Sequence, residues 1–361
     1  MNVLSWVMLG FCILGGIDRI LGNRFGLGKE FERGFMLLGS LALTMIGMIS
    51  LAPLLATVLA PCFDWVYSVL KLDPSVIPAA LLACDMGGAP LAIQIAQDEK
   101  MGLFNGLVVA SMMGCTLSYN IPYALTIVKK EHHKDMFFGI LCGIVTIPIG
   151  CFVAGIAYGI GVVALLLNLL PLVLLSVLII CGLLLFPAVT VKIFSVFGVI
   201  MKTVITLGLL LGIFQFLTGI ELVKDLGDIR EGAQICFNAA VVLSGAFPFM
   251  YVVSKLLAKP LGKLGKLLNI SGDSAMGLVG SIVTNATTLE TMNRMDPKGV
   301  VLNSAFMVSA AFTVGGHLAF TMSIDADWLP GVMLGKLVAG LTALLCALLL
   351  YRKPAAPQEK K

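Results

Sequence analysis

Charge is what this sequence has least of. Only 12% of its 361 residues are Asp, Glu, Lys or Arg, while 59% are hydrophobic and the mean hydropathy is +1.02. A soluble domain carries about 25% charged and about 45–50% apolar residues, so this chain has too little polar surface to cover a globule of its size. That excludes a soluble enzyme, a nucleic-acid binder and a disordered chain. What is left is an integral membrane protein whose apolar surface faces lipid. Metal and disulfide signatures are missing as well. The nine cysteines form no C-x-x-C pair and no ligand-like spacing with the three histidines. Cys142, Cys151, Cys181 and Cys346 sit inside apolar runs, where cysteine is a small buried hydrophobe. No metal and no cofactor is expected. No positive charge precedes the apolar run at 1–21, whereas Arg19, Arg24, Lys29 and Arg33 follow it. That is the reverse of a secretory signal, so the run reads as a first transmembrane helix.

Apolar segments long enough to span lie at about 3–21, 34–60, 101–128, 136–160, 162–187, 198–220, 233–257, 299–323 and 331–351. Two more, at about 76–97 and 274–293, are interrupted by polar and helix-breaking residues. The first carries Cys84-Asp85-Met86-Gly87-Gly88-Ala89-Pro90 and the second Thr284-Asn285-Ala286-Thr287-Thr288-Leu289-Glu290. Basic loops belong on the cytoplasmic side. Lys129, Lys130 and Lys134, like the four basic residues of 19–33, flank the first broken segment. Lys259, Lys263 and Lys266 precede the second, and Arg294 and Lys298 follow it. All four flanks fall inside only if both broken segments enter and leave on one face. The expected fold is therefore an all-α polytopic membrane protein with nine full spans and two re-entrant hairpins, eleven hydrophobic segments in all. Its N-terminus lies outside, and Arg352 and Lys353 end the last helix in the cytoplasm.

The chain also repeats itself at an offset of about 197–199. Gly10, Gly34, Gly47 and Gly102 fall on Gly208, Gly232, Gly245 and Gly299, Thr116 falls on Thr313, and Asn120 on His317. The loop at 129–135 is basic, whereas its counterpart at 324–330 holds Asp325 and Asp327 and no Lys or Arg. Opposite bias in equivalent loops is the mark of an inverted repeat. The expected organisation is a first repeat over 1–160, a linker helix within 161–197, a second, inverted repeat over 198–351 and a tail at 352–361.

Irregular backbone at membrane depth survives only where protein or a water-filled cavity satisfies it. Two such segments at matching places in two repeats point to a substrate site near the midplane, a transporter design. Asp85 at the first tip reads as a counter-charge for a cationic solute or coupling ion, or as a cap of the following half-helix. Gly87 and Gly88 allow backbone to approach a ligand, and Gln94 lies further along the same segment. Thr284, Asn285, Thr287 and Thr288 at the second tip offer hydroxyl and amide groups to a small polar solute. Glu290 either joins them or is solvated. Asn120 and His317 occupy equivalent places in the helices after each hairpin, as site lining, proton relay or packing. Gly139/Gly143 and Gly331/Gly335 are small-x-x-x-small pairs suited to close helix packing.

Several stretches together resemble the ethanolamine-utilisation permease (EutH) family: Gly16-Ile17-Asp18-Arg19-Ile20-Leu21-Gly22, Cys84-Asp85-Met86-Gly87-Gly88, Ser111-Met112-Met113-Gly114, Thr146-Ile147-Pro148-Ile149-Gly150-Cys151, and Ser309-Ala310-Ala311-Phe312 with His317-Leu318. The resemblance runs from the first helix to the last. It departs at Gly316, where the family has Asp before the His, and at Ala286-Thr287, where it has Ile-Pro. It implies a bacterial inner-membrane permease, not an enzyme, importing ethanolamine for catabolism. Ethanolamine is an ammonium with one hydroxyl, so a carboxylate at one tip and hydroxyl or amide groups at the other suit its two ends. A carrier for another small amine, a channel and a membrane-embedded enzyme are the competing readings; no H-E-x-x-H occurs, nor a G-x-G-D. The expected partners are this small solute and lipid, with no nucleic acid, and a homo-oligomer is left open.

Overall fold

The computed structural model describes residues 3–351, leaving aside the side chains of 3–4, 63–64, 66, 70, 257–264 and 266. Among the described residues every regular element is helical. The tail from Arg352, and the side chains of Lys259, Lys263 and Lys266 used in the topology argument, lie outside the described set.

Helices α1 (Val3–Ile20) and α2 (Leu27–Leu70) are joined by a turn built on Asp18, whose carboxylate accepts from the Phe25 N–H at 2.9 Å and the Gly28 N–H at 2.8 Å. Arg19 beside it pairs instead with Glu32 at 2.7 Å. The first broken segment follows as α3 (Val76–Leu81), a 3₁₀ turn at Cys84–Met86 and α4 (Gly88–Ile95). Then come α5 (Glu99–Ile127), α6 (His133–Ala157), α7 (Val162–Leu185), α8 (Pro187–Thr218) and α9 (Ile229–Leu268). The second broken segment is α10 (Gly272–Val283) and α11 (Asn285–Met292), and α12 (Pro297–Ala310), α13 (Gly316–Ile324) and α14 (Leu329–Leu350) complete the chain. Seven helical stretches are long and apolar enough to cross a membrane: Leu27–Cys62, Glu99–Ile127, Lys130–Ala157, Val162–Leu185, Pro187–Thr218, Ile229–Leu256 and Ala326–Leu350.

The structure differs from the sequence reading in two respects. The segment 299–323 is not one helix. It breaks between Ala310 and Gly316, and Phe312 takes φ +61° there. The freed Phe312 and Val314 N–H groups donate to the Ser281 and Ile282 carbonyls at 3.0 and 2.9 Å, so this break docks on the end of α10. The long helices α2 and α9 also run well past their apolar cores, to 44 and 40 residues.

Small residues let the helices approach to backbone contact. A Cβ on Gly47 of α2 would fall on the Ile205 carbonyl of α8, and one on Gly208 of α8 would fall on the Gly47 carbonyl. Gly150 of α6 and Gly335 of α14 abut in the same way, and the Thr146 hydroxyl donates to the Ala339 carbonyl at 3.1 Å. Between them α2, α5, α6, α12 and α14 enclose the buried centre, whereas α7 and α8 leave long rows of Leu, Val and Phe outward. A groove of about 580 Å³ between α7 and α8, lined by Leu178, Phe186, Phe194 and Phe197, has the apolar character of a lipid contact.

Asp296 ties the second hairpin to α12. Its carboxylate accepts from the Ser271 N–H and the Ser274 hydroxyl, both at 2.7 Å, and from the Gly299 N–H at 3.0 Å. Burial pushes this carboxyl up, but the hydrogen bonds outweigh it and hold the group below the ordinary carboxylate value. The stability it contributes is present above the unfolded carboxylate range and is lost as pH falls through the lowered folded value. Asp296→Asn is expected to lower Tm in detergent by roughly 2–4 °C near neutrality, with the gap closing in acid, as differential scanning fluorimetry against pH would show.

Candidate functional site

Leu82 and Ala83 are extended, and Gly87 takes φ +98°, a region closed to most L-residues, so the chain turns between α3 and α4 in the middle of the protein. The backbone freed there is not left orphaned. The Ala83 N–H donates to the Ser118 hydroxyl at 2.9 Å, and the Gly88 N–H to the Ala83 carbonyl at 2.9 Å. A Cβ on Gly87 would run into the Met48 side chain and one on Gly88 into the Leu82 carbonyl. These glycines therefore serve packing and the turn.

The turn aims Asp85 into a cavity of about 180 Å³. Ser40, Leu41 and Thr44 of α2 line one wall, Cys115 and Tyr119 of α5 another, and Phe312 and His317 close it. The wall of α5 is wound as a π-helix over Phe104–Gly114 and Thr116–Asn120. π-Helix is rare and is frequently found at functional sites. Tyr119 meets Phe312 edge-on with ring centroids 5.9 Å apart, and Phe312 lies 4.9 Å from the His317 ring, so aromatic faces surround the carboxylate's cavity.

Behind His317 stands a residue that the sequence reading did not single out. Lys336 of α14 is 1% exposed; its Nζ donates to the Ser111 carbonyl at 2.8 Å and contacts His317 Nδ1 at 3.1 Å. A lone lysine inside the apolar span 331–351 was the available signal, because an ionisable group inside a membrane segment is a functional candidate by default. Cys84, Asp85 and His317 bring a thiol, a carboxylate and a ring nitrogen within 4.8 Å. Lys336 Nζ, 3.1 Å from His317 Nδ1, occupies one of the two ring nitrogens of that cluster.

Asn120 and Asn285 also meet, one from α5 and one from the second tip. The Asn285 amide donates to Asn120 Oδ1, and the Cys115 thiol of the cavity wall lies 3.8 Å from the same oxygen. Asn120 Nδ2 and Asn285 Oδ1 are buried without a partner. The other residues of the second tip are spent elsewhere. Thr284 caps α11 by accepting from the Ala286 N–H at 3.3 Å, and Thr288 donates to the Gly277 carbonyl at 2.9 Å. Thr284 and the exposed Thr287 line a separate cleft of about 180 Å³ together with Glu30, Arg33 and Tyr251. Gln94 and Glu290 are exposed and stand apart from the cavity.

Residues 1–350 match the family described as ethanolamine utilisation protein, EutH. The chain is 43% identical over 343 residues to the probable ethanolamine permease EutH of Listeria monocytogenes serotype 1/2a, covering 95% of this chain and 92% of that one. It is 36% identical to the probable ethanolamine permease EutH of Salmonella typhimurium, covering 99% and 97%, and 37% identical to the uncharacterized protein YxeR of Bacillus subtilis, covering 100% and 97%. No solved structure matches. On this end-to-end similarity the chain belongs to the EutH family of ethanolamine-utilisation proteins.

Proposed function

We propose that this protein is a carrier that brings ethanolamine, as its ammonium form, across the bacterial inner membrane for catabolism. The observation that carries the reading is Asp85, which brings a carboxylate to a small central cavity walled by the Tyr119 and Phe312 rings. A carboxylate and aromatic faces together suit a compact ammonium. About 180 Å³ is well below the ~300–1,000 Å³ of sites for drug-sized ligands. The solute's hydroxyl, which both gives and accepts, matches the spare donor and acceptor of Asn120 and Asn285 behind Cys115. Whichever way the two amides are turned, one donor and one acceptor stay free. His317 closes the wall between the cavity and Lys336, and the second tip contributes mainly Asn285. Relatives named probable ethanolamine permeases, similar along the whole chain, support this assignment.

The carrier is built as two inverted repeats, 1–160 and 198–351, joined through 161–197, with nine full spans, two re-entrant hairpins, an external N-terminus and a cytoplasmic C-terminus. Reciprocal packing supports this. Gly208 packs on Gly47, and at the repeat-equivalent place Gly245 packs on the Met8 carbonyl, two residues from Gly10. Likewise α1 packs on α9 while α8 packs on α2. The cleft at Thr284 and Thr287 would be the cytoplasmic vestibule, beside Arg33 near the start of α2.

Three outcomes test these assignments. In proteoliposomes at acidic pH, where neutral ethanolamine does not mask the protein, Asp85→Asn is expected to cut saturable uptake roughly 10–100-fold, the loss of one charge-assisted hydrogen bond; unchanged uptake would remove Asp85 from the site. In a background stripped of native cysteines, Asp327→Cys should react with an impermeant maleimide from outside and Lys130→Cys only after permeabilisation; labelling of both from one side would contradict the inverted repeat. For the amide pair, Asn120→Leu and Asn285→Leu should each destabilise by about 1–3 kcal/mol, while the double variant, read by Tm, costs less than the sum by about 1 kcal/mol.

A further inference from the structure

Lys336 is the charged group for which the carrier reading above has no use. It sits on α14 facing the protein interior, 1% exposed, and its two partners at 2.8 and 3.1 Å, the Ser111 carbonyl and His317 Nδ1, are both uncharged when the ring is neutral. Among the described residues no carboxylate comes within 4.0 Å of it. The titratable groups that face it are few. Asp85 and Cys84 come from the first hairpin, Cys115 from α5, Cys151 from α6 and His317 from α13. The one titratable side chain of α12, Lys298, is held at the Leu268 carbonyl. Asp85 is the carboxylate that lines the same cavity as His317, within 4.8 Å of its ring nitrogen.

That inventory constrains how the site can load. With Lys336 protonated and Asp85 ionised the centre is neutral. A solute ammonium arriving at Asp85 would make it a net cation in a medium that penalises one. Loss of one proton restores neutrality, and Lys336 is placed to lose it. We infer that Lys336 exchanges its proton for the positive charge of the solute, so that the protein is an electroneutral ammonium/proton exchanger. The step balances as follows. An Nζ–H bond breaks and leaves its electron pair on the amine; the proton forms a new bond to His317 Nδ1, and the ring releases its other proton, from Nε2, to cavity water on the side from which the solute came. After translocation the solute leaves Asp85, and water on the far side returns a proton to Lys336 by the reverse path. In both crossings the centre carries the same zero net charge, so neither direction has to move charge through the bilayer. His317 is a positioning and relay group here, because its Nδ1 touches Lys336 while the ring lines the cavity.

The test rests on the carrier reading and separates its own failure from that reading's. Radiolabelled ethanolamine uptake is measured in proteoliposomes at pH 6 on both sides, with and without an inside-negative potassium diffusion potential set by valinomycin. The expected result for wild type is saturable uptake whose initial rate does not respond to the potential. In Lys336→Met the crossing forms no longer match in charge, so uptake should become potential-dependent, by several-fold, and lose its pH dependence in counterflow. Lys336→Arg, with its charge locked, should abolish exchange. Saturable wild-type uptake accelerated several-fold by the potential would overturn the exchange and leave the carrier standing. So would a Lys336→Met protein that stays indifferent to potential. If that variant does not fold, the wild-type response decides. Absence of saturable uptake in wild type would overturn the carrier reading, and the exchange with it.

Discussion

A positive charge buried among apolar helices is the constraint around which the centre of this protein is organised. Lys336 is 1% exposed and, among the described residues, contacts no carboxylate, so the energy of desolvating it must be offset by oriented dipoles and by the field of Asp85. The Ser111 carbonyl supplies one dipole and the lone pair of His317 Nδ1 the other. Each comes from a different helix, and each helix must come close. The Gly150–Gly335 contact brings α14 onto α6, and Gly340 of α14 meets Ala310 and Phe306 of α12, with an added Cβ only 2.8 Å from Ala310. The small residues seat α14 against α6 and α12, and the partners of its lysine arrive from α5 and α13.

Broken backbone imposes the second constraint, and it is met differently at the two places. In the first hairpin the orphaned Ala83 N–H finds a side chain, the Ser118 hydroxyl of α5. At the second, the N–H groups of the irregular 312–314 stretch donate to the 281 and 282 carbonyls at the end of α10. Both solutions bury polar backbone far from water without loss. They also tie the first hairpin to α5 and the second to the break before α13. The π-wound stretch of α5 lies where the first hairpin, Asn120 and the cavity wall converge.

The two tips are chemically unequal. The first keeps a carboxylate free of any cap and directs it to the cavity. The second uses most of its hydroxyls on its own helix ends, with Thr284 as a cap and Thr288 on the Gly277 carbonyl, and sends inward only Asn285. This asymmetry fits a solute with one charged and one weakly polar end. It also fits the proposed site, in which the charge of Asp85 is balanced by Lys336.

Much of this was present in the sequence alone, because membrane burial acts on composition and on local pattern. Scarce charge specified a helical membrane protein, Gly87 and Thr284 marked where backbone leaves the helix, and Asp85 stood out because a carboxylate in such a place is expensive. These are one-residue or short-range properties. The sequence could not say that Gln94, Thr287 and Glu290 point away from the cavity, because a broken helix has no fixed phase to carry forward. It did not reveal that 299–323 is interrupted at 311–315, since that break is stabilised by carbonyls of α10 some thirty residues earlier. Nor did it join Lys336 to His317, Ser111 and Asp85. Only the tertiary structure decided that meeting, because it depends on helices far apart in the chain packing at backbone distance, and no local periodicity encodes which faces will touch.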